Sequence, residues 1–199
     1  MMNIENLISS RTASLKPSGI RRFFDIANEM EGVISLGVGE PDFKTPYSVR
    51  RAGIENLQMG KTAYTANAGL AELRNAISRY LERKFNLSYD PKSEVLVTVG
   101  GSEAIDLCIR AFVNPGEEVL IPEPCFVAYA PIVTMTCGVP VPIKTVAEDE
   151  FRLTAKQLEA AITDKTKVLV LPFPNNPTGA VMRREHLEEI AAVLRKHDI

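Results

Sequence analysis

Tryptophan is absent from the 199 residues, and cysteine occurs three times. The first absence excludes nothing. The second excludes more: Cys108, Cys125 and Cys137 do not have metal-ligand spacing, and an odd count makes no disulfide framework. A reducing cytoplasm is the expected compartment. No apolar run approaches the length of a membrane span. The opening Met1–Asn6 lacks the basic and apolar regions of a signal peptide. Net charge is −2 with no basic excess, so neither nucleic acid nor a membrane is an expected partner. Two nucleotide fingerprints also fail. Gly37-Val-Gly39 starts a Gly-x-Gly, but Asp42 stands at the sixth position and no helical pattern follows directly, so the residues themselves read as a tight loop. Gly60-Lys61-Thr62 echoes the end of a P-loop, yet the earlier glycine of that motif is missing, Gly53 lying too far back.

What is present is ordinary for a globular chain: 45% hydrophobic and 24% charged residues, enough for one domain, or one domain with an appendage. Residues 1 to about 16 read as a polar arm. Helices are expected over Ile20–Met30, Pro46–Gln58, Leu70–Phe85, Phe126–Met135, Thr154–Ile162 and Arg183–Lys196. In the third of these, Leu70, Leu73, Ile77, Tyr80 and Leu81 are expected to face inward and Arg74, Arg79 and Arg83 to be solvated. In the last, Leu187, Ile190, Ala191 and Leu194 form the inward stripe. Thr154 and Gln157 have capping-box spacing. Short apolar strands are expected at Val33–Leu36, Glu94–Val99, Val119–Ile121, Val139–Ile143 and Lys167–Leu171. The prolines of Val139–Ile143 suit a sheet edge. Strands alternating with helices predict an α/β fold, three-layered, with a mostly parallel central sheet. The composition shift near Pro41–Pro46 suggests a boundary, giving 1–45 and 46–199. The chain stops where a crossover helix would hand over to another strand, which reads as an ending inside a domain.

The stretch with most chemistry is Glu94–Val113. A β-branched run enters Gly100-Gly101-Ser102-Glu103, and then a helical pattern follows, with Ala104, Leu107, Cys108, Ala111 and Phe112 on one stripe. A strand turning through glycines into a helix aims backbone N–H groups and the positive end of the helix dipole at one point, which is a seat for phosphate. In open α/β sheets, ligands gather at the carboxyl ends of strands. Two other loops leave such ends. Pro122–Phe126 offers an aromatic, Phe126, able to stack on a planar ring. Pro174–Gly179 offers Asn175 and Asn176, whose amides can donate to an oxygen on that ring. Each of these has an ordinary structural explanation alone. Together, phosphate, flat ring and ring oxygen describe pyridoxal phosphate better than a nucleotide.

Four segments occur in order: Leu36-Gly-Val-Gly-Glu-Pro-Asp-Phe43, Tyr64 with Gly69-Leu-Ala-Glu-Leu-Arg74, Gly100-Gly-Ser-Glu-Ala104, and Pro174-Asn-Asn-Pro-Thr-Gly179. With them the chain resembles the N-terminal portion of the class I/II aminotransferases, fold type I pyridoxal-phosphate enzymes of the aspartate and aromatic aminotransferase kind. The resemblance implies that Gly101, Ser102 and Glu103 hold the cofactor phosphate, chiefly through backbone amides. It implies that Phe126 stacks on the pyridine ring and Asn176 bonds its phenolic oxygen. Gly39 then helps hold the substrate carboxylate, and Tyr64 reaches the phosphate of the neighbouring subunit in a homodimer. The implied reaction transfers an amino group between an amino acid and a 2-oxo acid. A pyridoxal-phosphate lyase of the same fold is the nearest variant.

The departure from the family pattern is as informative. The Schiff-base lysine, the aspartate that pairs with the pyridine nitrogen and the carboxylate-binding arginine all follow the Asn-Pro-Thr-Gly loop in that family. None of Lys144, Lys167 or Lys196 stands in the lysine's setting, and Asp198 precedes the strand expected to carry the aspartate. No catalytic residue is therefore assigned within the 199 residues, and the chain taken alone is expected to be inactive, at most a non-catalytic cofactor-binding segment.

Overall fold

The computed structural model describes residues 7–16, 19, 26, 29–32, 34, 39 and 41–199. The helix expected over Ile20–Met30 and the strand at Val33–Leu36 lie almost wholly outside them. Two compact units form, one of residues 18–98 and the other of residues 1–17 with 99–199. This division falls elsewhere than the domain boundary expected near residue 45, which remains a proposal about the intact fold.

In the unit 18–98, helix α2 is Tyr47–Gln58, with Pro46 at its N-cap, and α3 is Ala71–Phe85. Pro46 suits a helix start because its missing N–H would have no partner there. No residue of α2 is buried. Asn86 ends α3 in the left-handed conformation with φ of 55°, which a short polar side chain tolerates. The inward stripe expected for α3 is only partly inward. Ile77 and Leu81 are half-buried, while Leu70, Leu73 and Tyr80 are exposed. Arg74 corrects the expectation of a solvated arginine. Its Nη1 donates to the carbonyls of Pro91 at 2.9 Å and Lys92 at 3.2 Å, pinning the turn after α3. Gly69 has φ of +93°, and a Cβ there would lie 2.7 Å from the Val97 side chain, so glycine is required twice over.

The strand expected at Glu94–Val99 does not form a ladder among the described residues. Residues 95–98 have no regular secondary structure, and Val97 N–H donates to the Ala68 carbonyl at 3.1 Å. Apolar, β-branched sequence favours an extended strand but does not supply a hydrogen-bonding neighbour.

In the second unit, α1 (Ser10–Ser14) contacts α5, and Arg11 Nη1 donates to Cys137 Sγ at 3.0 Å. The remaining elements are α4 (Gly101–Phe112), β1 (Glu118–Glu123), α5 (Tyr129–Met135), β2 (Val139–Lys144), α6 (Ala155–Ala161), β3 (Thr166–Leu169) and α7 (Arg184–His197). The strands form a parallel sheet in the order β2-β1-β3. β2 lies at an edge, as Pro140 and Pro142 require, since neither can donate on a second side. Val170 N–H to Leu120 O at 3.0 Å carries the β1–β3 pairing past the end of β3.

The pleat of β1 divides the core in two. Val119 and Ile121 face α4 and α5, packing with Ile109, Val113, Tyr129 and Val133. Leu120 faces the other way, with Ile143, Leu153, Leu158 and Ile190. Helices α4 and α5 thus cover one face of the sheet and α6 and α7 the other, the three-layer α/β arrangement expected from the sequence. Thr154 and Gln157 form the expected capping box: Thr154 Oγ1 accepts from Gln157 N–H at 3.2 Å, and Gln157 Oε1 accepts from Thr154 N–H at 3.0 Å. In α7, Ile190, Ala191 and Leu194 turn inward, but Leu187 is exposed.

Of the stripe expected for α4, Ala104 alone is half-buried. Ile105 and Ile109, followed by Val113, pack on the sheet, whereas Leu107, Cys108, Ala111 and Phe112 are exposed. The helix is apolar on two sides, so periodicity alone could not say which side meets β1.

Candidate functional site

Gly100 is the N-cap of α4, with φ of 84° and ψ of 168°, and no side chain caps the helix. That backbone conformation is open essentially to glycine alone. It lets the chain turn sharply, so that the helix begins at Gly101, Ser102 and Glu103, all exposed. The first N–H groups of an α-helix have no acceptor within the helix, and the dipole adds positive potential there. Glu103 turns its carboxylate back to accept from Val99 N–H. Its side chain therefore braces the turn, which leaves its backbone as the part suited to an anion.

Phe126 lies on the loop between β1 and α5, half-buried, with its ring edge-on to Tyr129 at a centroid distance of 5.6 Å and an interplanar angle of 78°. The expected helix over Phe126–Met135 starts later, at Tyr129, which frees Phe126 from helical constraints. Phe126 packs on the same apolar cluster as Ile105, one turn into α4. Burial raises the Tyr129 hydroxyl above the usual range, and the neighbouring Cys125 adds to it. Burial likewise raises the Cys125 thiol, helped by Glu123. Both groups are thus held in their neutral forms. Tyr129 is a site neighbour that motif reading missed. Its signal was the three-residue spacing from Phe126 at a helix start.

The loop after β3 is organised by Asn175. Its Nδ2 donates to Pro124 O at 2.8 Å and to Thr178 Oγ1 at 2.9 Å. Its N–H donates to Ala180 O at 2.9 Å, and its carbonyl accepts from Gly179 N–H at 2.8 Å. Asn175 is 9% exposed, and its Oδ1 is buried without a hydrogen-bond partner. Asn176, next along, is exposed. Of the two amides that the sequence offered for a ring oxygen, Asn175 has both its amide hydrogens engaged and Asn176 does not.

Within this unit Asn175 joins the loop of Asn176 to the loop of Phe126, and Phe126 shares an apolar cluster with Ile105 of α4. Tyr64 and Gly39 lie in the unit 18–98, and both are exposed. A cleft of about 760 Å³ opens beside Phe126 on the β2 side, where Pro124, Val127, Pro142 and Lys144 also line it. None of its lining comes from residues 100–103 or 174–179, so it is separate from the turn at Gly100. The donors present fit pyridoxal phosphate. A helix start with no side-chain cap suits the phosphate, a half-buried aromatic suits the ring, and an uncommitted amide suits its oxygen. No grouping of His, Cys, Asp and Glu among the described residues suits a metal ion, and no helix among them is long and apolar enough to cross a membrane.

Comparison with known proteins bears on these loops. The sequence model of the family described as "Aminotransferase class I and II" matches residues 31–199. The chain is 47% identical over 192 residues to the aspartate aminotransferase of Pyrococcus abyssi, covering 96% of this chain and 49% of that protein. It is 44% identical over 192 residues to aromatic-amino-acid aminotransferase 2 of Thermococcus litoralis, again covering 96% and 49%. Among solved structures, it is similar to the Thermus thermophilus aspartate aminotransferase with maleate, with a TM-score of 0.89 and 39% identity, covering 96% of this chain and 51% of that one. The chain spans about half the length of the curated relatives it matches.

Proposed function

Because the chain belongs to the class I and II aminotransferase family, we propose that the intact protein transfers an amino group between an amino acid and a 2-oxo acid with pyridoxal phosphate as cofactor. In this reading the described loops are the phosphate-and-ring half of the site. When bound, the cofactor supplies an electron sink for the substrate Cα. The chain's own residues hold and orient it. The N–H groups of Gly101, Ser102 and Glu103 receive the phosphate at the helix start. Phe126 stacks on the ring, and the Asn176 amide donates to the ring oxygen. Gly39 offers backbone to the substrate carboxylate, and Tyr64 serves the phosphate of a neighbouring subunit in a homodimer. The lysine that would move the proton at Cα belongs to sequence after Asn-Pro-Thr-Gly179. Lys196 is engaged by Glu159, and Lys167 stands near the amino end of β3, opposite the site.

One observation carries this reading: the 2.8 Å bond from Asn175 Nδ2 to Pro124 O, which joins the loop of the ring amide to the loop of the ring-stacking aromatic. The test is a half-reaction with the intact protein. An amino acid added alone should release one equivalent of its 2-oxo acid and change the absorption of the bound cofactor, and a 2-oxo acid should then restore it. Release of ammonia or a thiol with no amino group retained would favour the lyase and overturn the proposal.

A further inference from the structure

We propose that Asn175 is a positioning residue that sets where Asn176 sits relative to Phe126, acting on the cofactor only through its neighbour. This rests on the role proposed above for Asn176. Three observations lead to it. First, Asn175 is the centre of its loop, with its N–H, its carbonyl and its amide all bonded to Ala180, Gly179, Thr178 and Pro124. Second, the bond to Pro124 crosses to the loop that carries Phe126 two residues later, so the two ring contacts share one brace. Third, the amide orientation is fixed, because only the nitrogen can face the Pro124 carbonyl. That choice leaves Oδ1 buried with no partner, an arrangement that core packing alone would not favour. Asn175 is spent on the brace, and Asn176 is left exposed at the tip of a held loop.

The test uses the intact protein with Asn175→Ala, Asn175→Asp, Asn176→Ala and the double variant Asn175→Ala/Asn176→Ala. Asn175→Asp keeps the side-chain shape and can accept from the Thr178 hydroxyl where asparagine donates to it, but it cannot donate to Pro124, so it serves if the alanine variant does not fold. Three quantities are read: the dissociation constant for pyridoxal phosphate, the pH midpoint of the bound cofactor's absorption change, and the melting temperature. Asn176→Ala should weaken cofactor binding about tenfold, the scale of one hydrogen bond to a charged acceptor, and move the pH midpoint. Either Asn175 variant should move the midpoint in the same direction and weaken binding by about three- to tenfold. The double variant should match Asn176→Ala within about twofold, because the first effect runs through the second residue. Asn175 variants that melt earlier but keep the wild-type midpoint would overturn the proposal, as would effects that multiply in the double variant. If Asn176→Ala itself changes neither binding nor midpoint, the role of Asn176 fails, and the proposal for Asn175 fails with it.

Discussion

Asn175 Nδ2 lies 2.8 Å from the carbonyl oxygen of Pro124, a hydrogen bond between residues 51 positions apart. It closes the gap between the carboxyl-end loops of two adjacent strands, β1 and β3. The bond ties the loop of Phe126 to the loop of Asn176, the two that the proposed ring site draws on.

Phe126 is the first residue to test in that frame. Phe126→Ala in the intact protein should weaken retention of pyridoxal phosphate by about three- to tenfold, the scale of an aromatic stacking contact. Equilibrium dialysis followed by absorption of the retained cofactor measures it. Unchanged retention would remove Phe126 from the ring site.

Gly100 should resist substitution for a backbone reason. With φ of 84° and ψ of 168°, an alanine there is forced into a conformation that costs about 1–3 kcal/mol. A Cβ at that position meets no atom within 4 Å, so any loss reports strain and not a clash. The urea midpoint of Gly100→Ala against wild type tests this, and equal midpoints would contradict it.

Stability should also fall on the acid side through Glu159. Its carboxylate accepts from Lys196 Nζ and, at 3.0 Å, from His197 Nε2, tying α6 to α7. The hydrogen bond from Lys196, then that from His197, lowers its pKa below the ordinary value. A carboxylate with a depressed folded-state pKa stabilises the fold above its unfolded pKa. That contribution is lost as pH falls through the folded pKa. Glu159→Gln should therefore lose less stability than wild type between neutral pH and the lower carboxylate range. Because Glu159 is at the surface, added salt should shrink the difference. Melting curves across pH decide it, and parallel pH profiles would count against the contribution.

Much of the fold could be read from the sequence because its signals are local. Val119-Leu120-Ile121 and Val168–Leu171 are short runs apolar on both sides, and both supply the two faces of the sheet. The Thr154–Gln157 cap is a three-residue pattern and is present as expected. The failures share a cause: each depended on a partner distant in sequence. Glu94–Val99 has strand composition, but composition does not name a neighbouring strand. In α4 both Ile105–Ile109 and Leu107–Phe112 are plausible inward stripes, and only packing against Val119 and Ile121 selects the first. Arg74 sits on a helix face that reads as solvated, until the turn at Pro91–Lys92 folds back onto it. At the site, glycines, aromatic and asparagines were all visible as residue types. The residue types alone left open which asparagine is free, and only the family resemblance named Asn176, because the choice depends on a carbonyl at Pro124 far away in the chain.

If the start of α4 holds the cofactor by its phosphate, Gly101 allows a direct measurement of that hold. It is the first residue of the helix, where proline is tolerated and removes only an N–H that the helix does not use. Binding of pyridoxal phosphate and of pyridoxal, which has no phosphate, should be compared in the intact protein and its Gly101→Pro variant. The variant should bind pyridoxal phosphate about tenfold more weakly, while its binding of pyridoxal is unchanged. Equal losses for both ligands, or no loss for either, would contradict a phosphate seat at the start of α4.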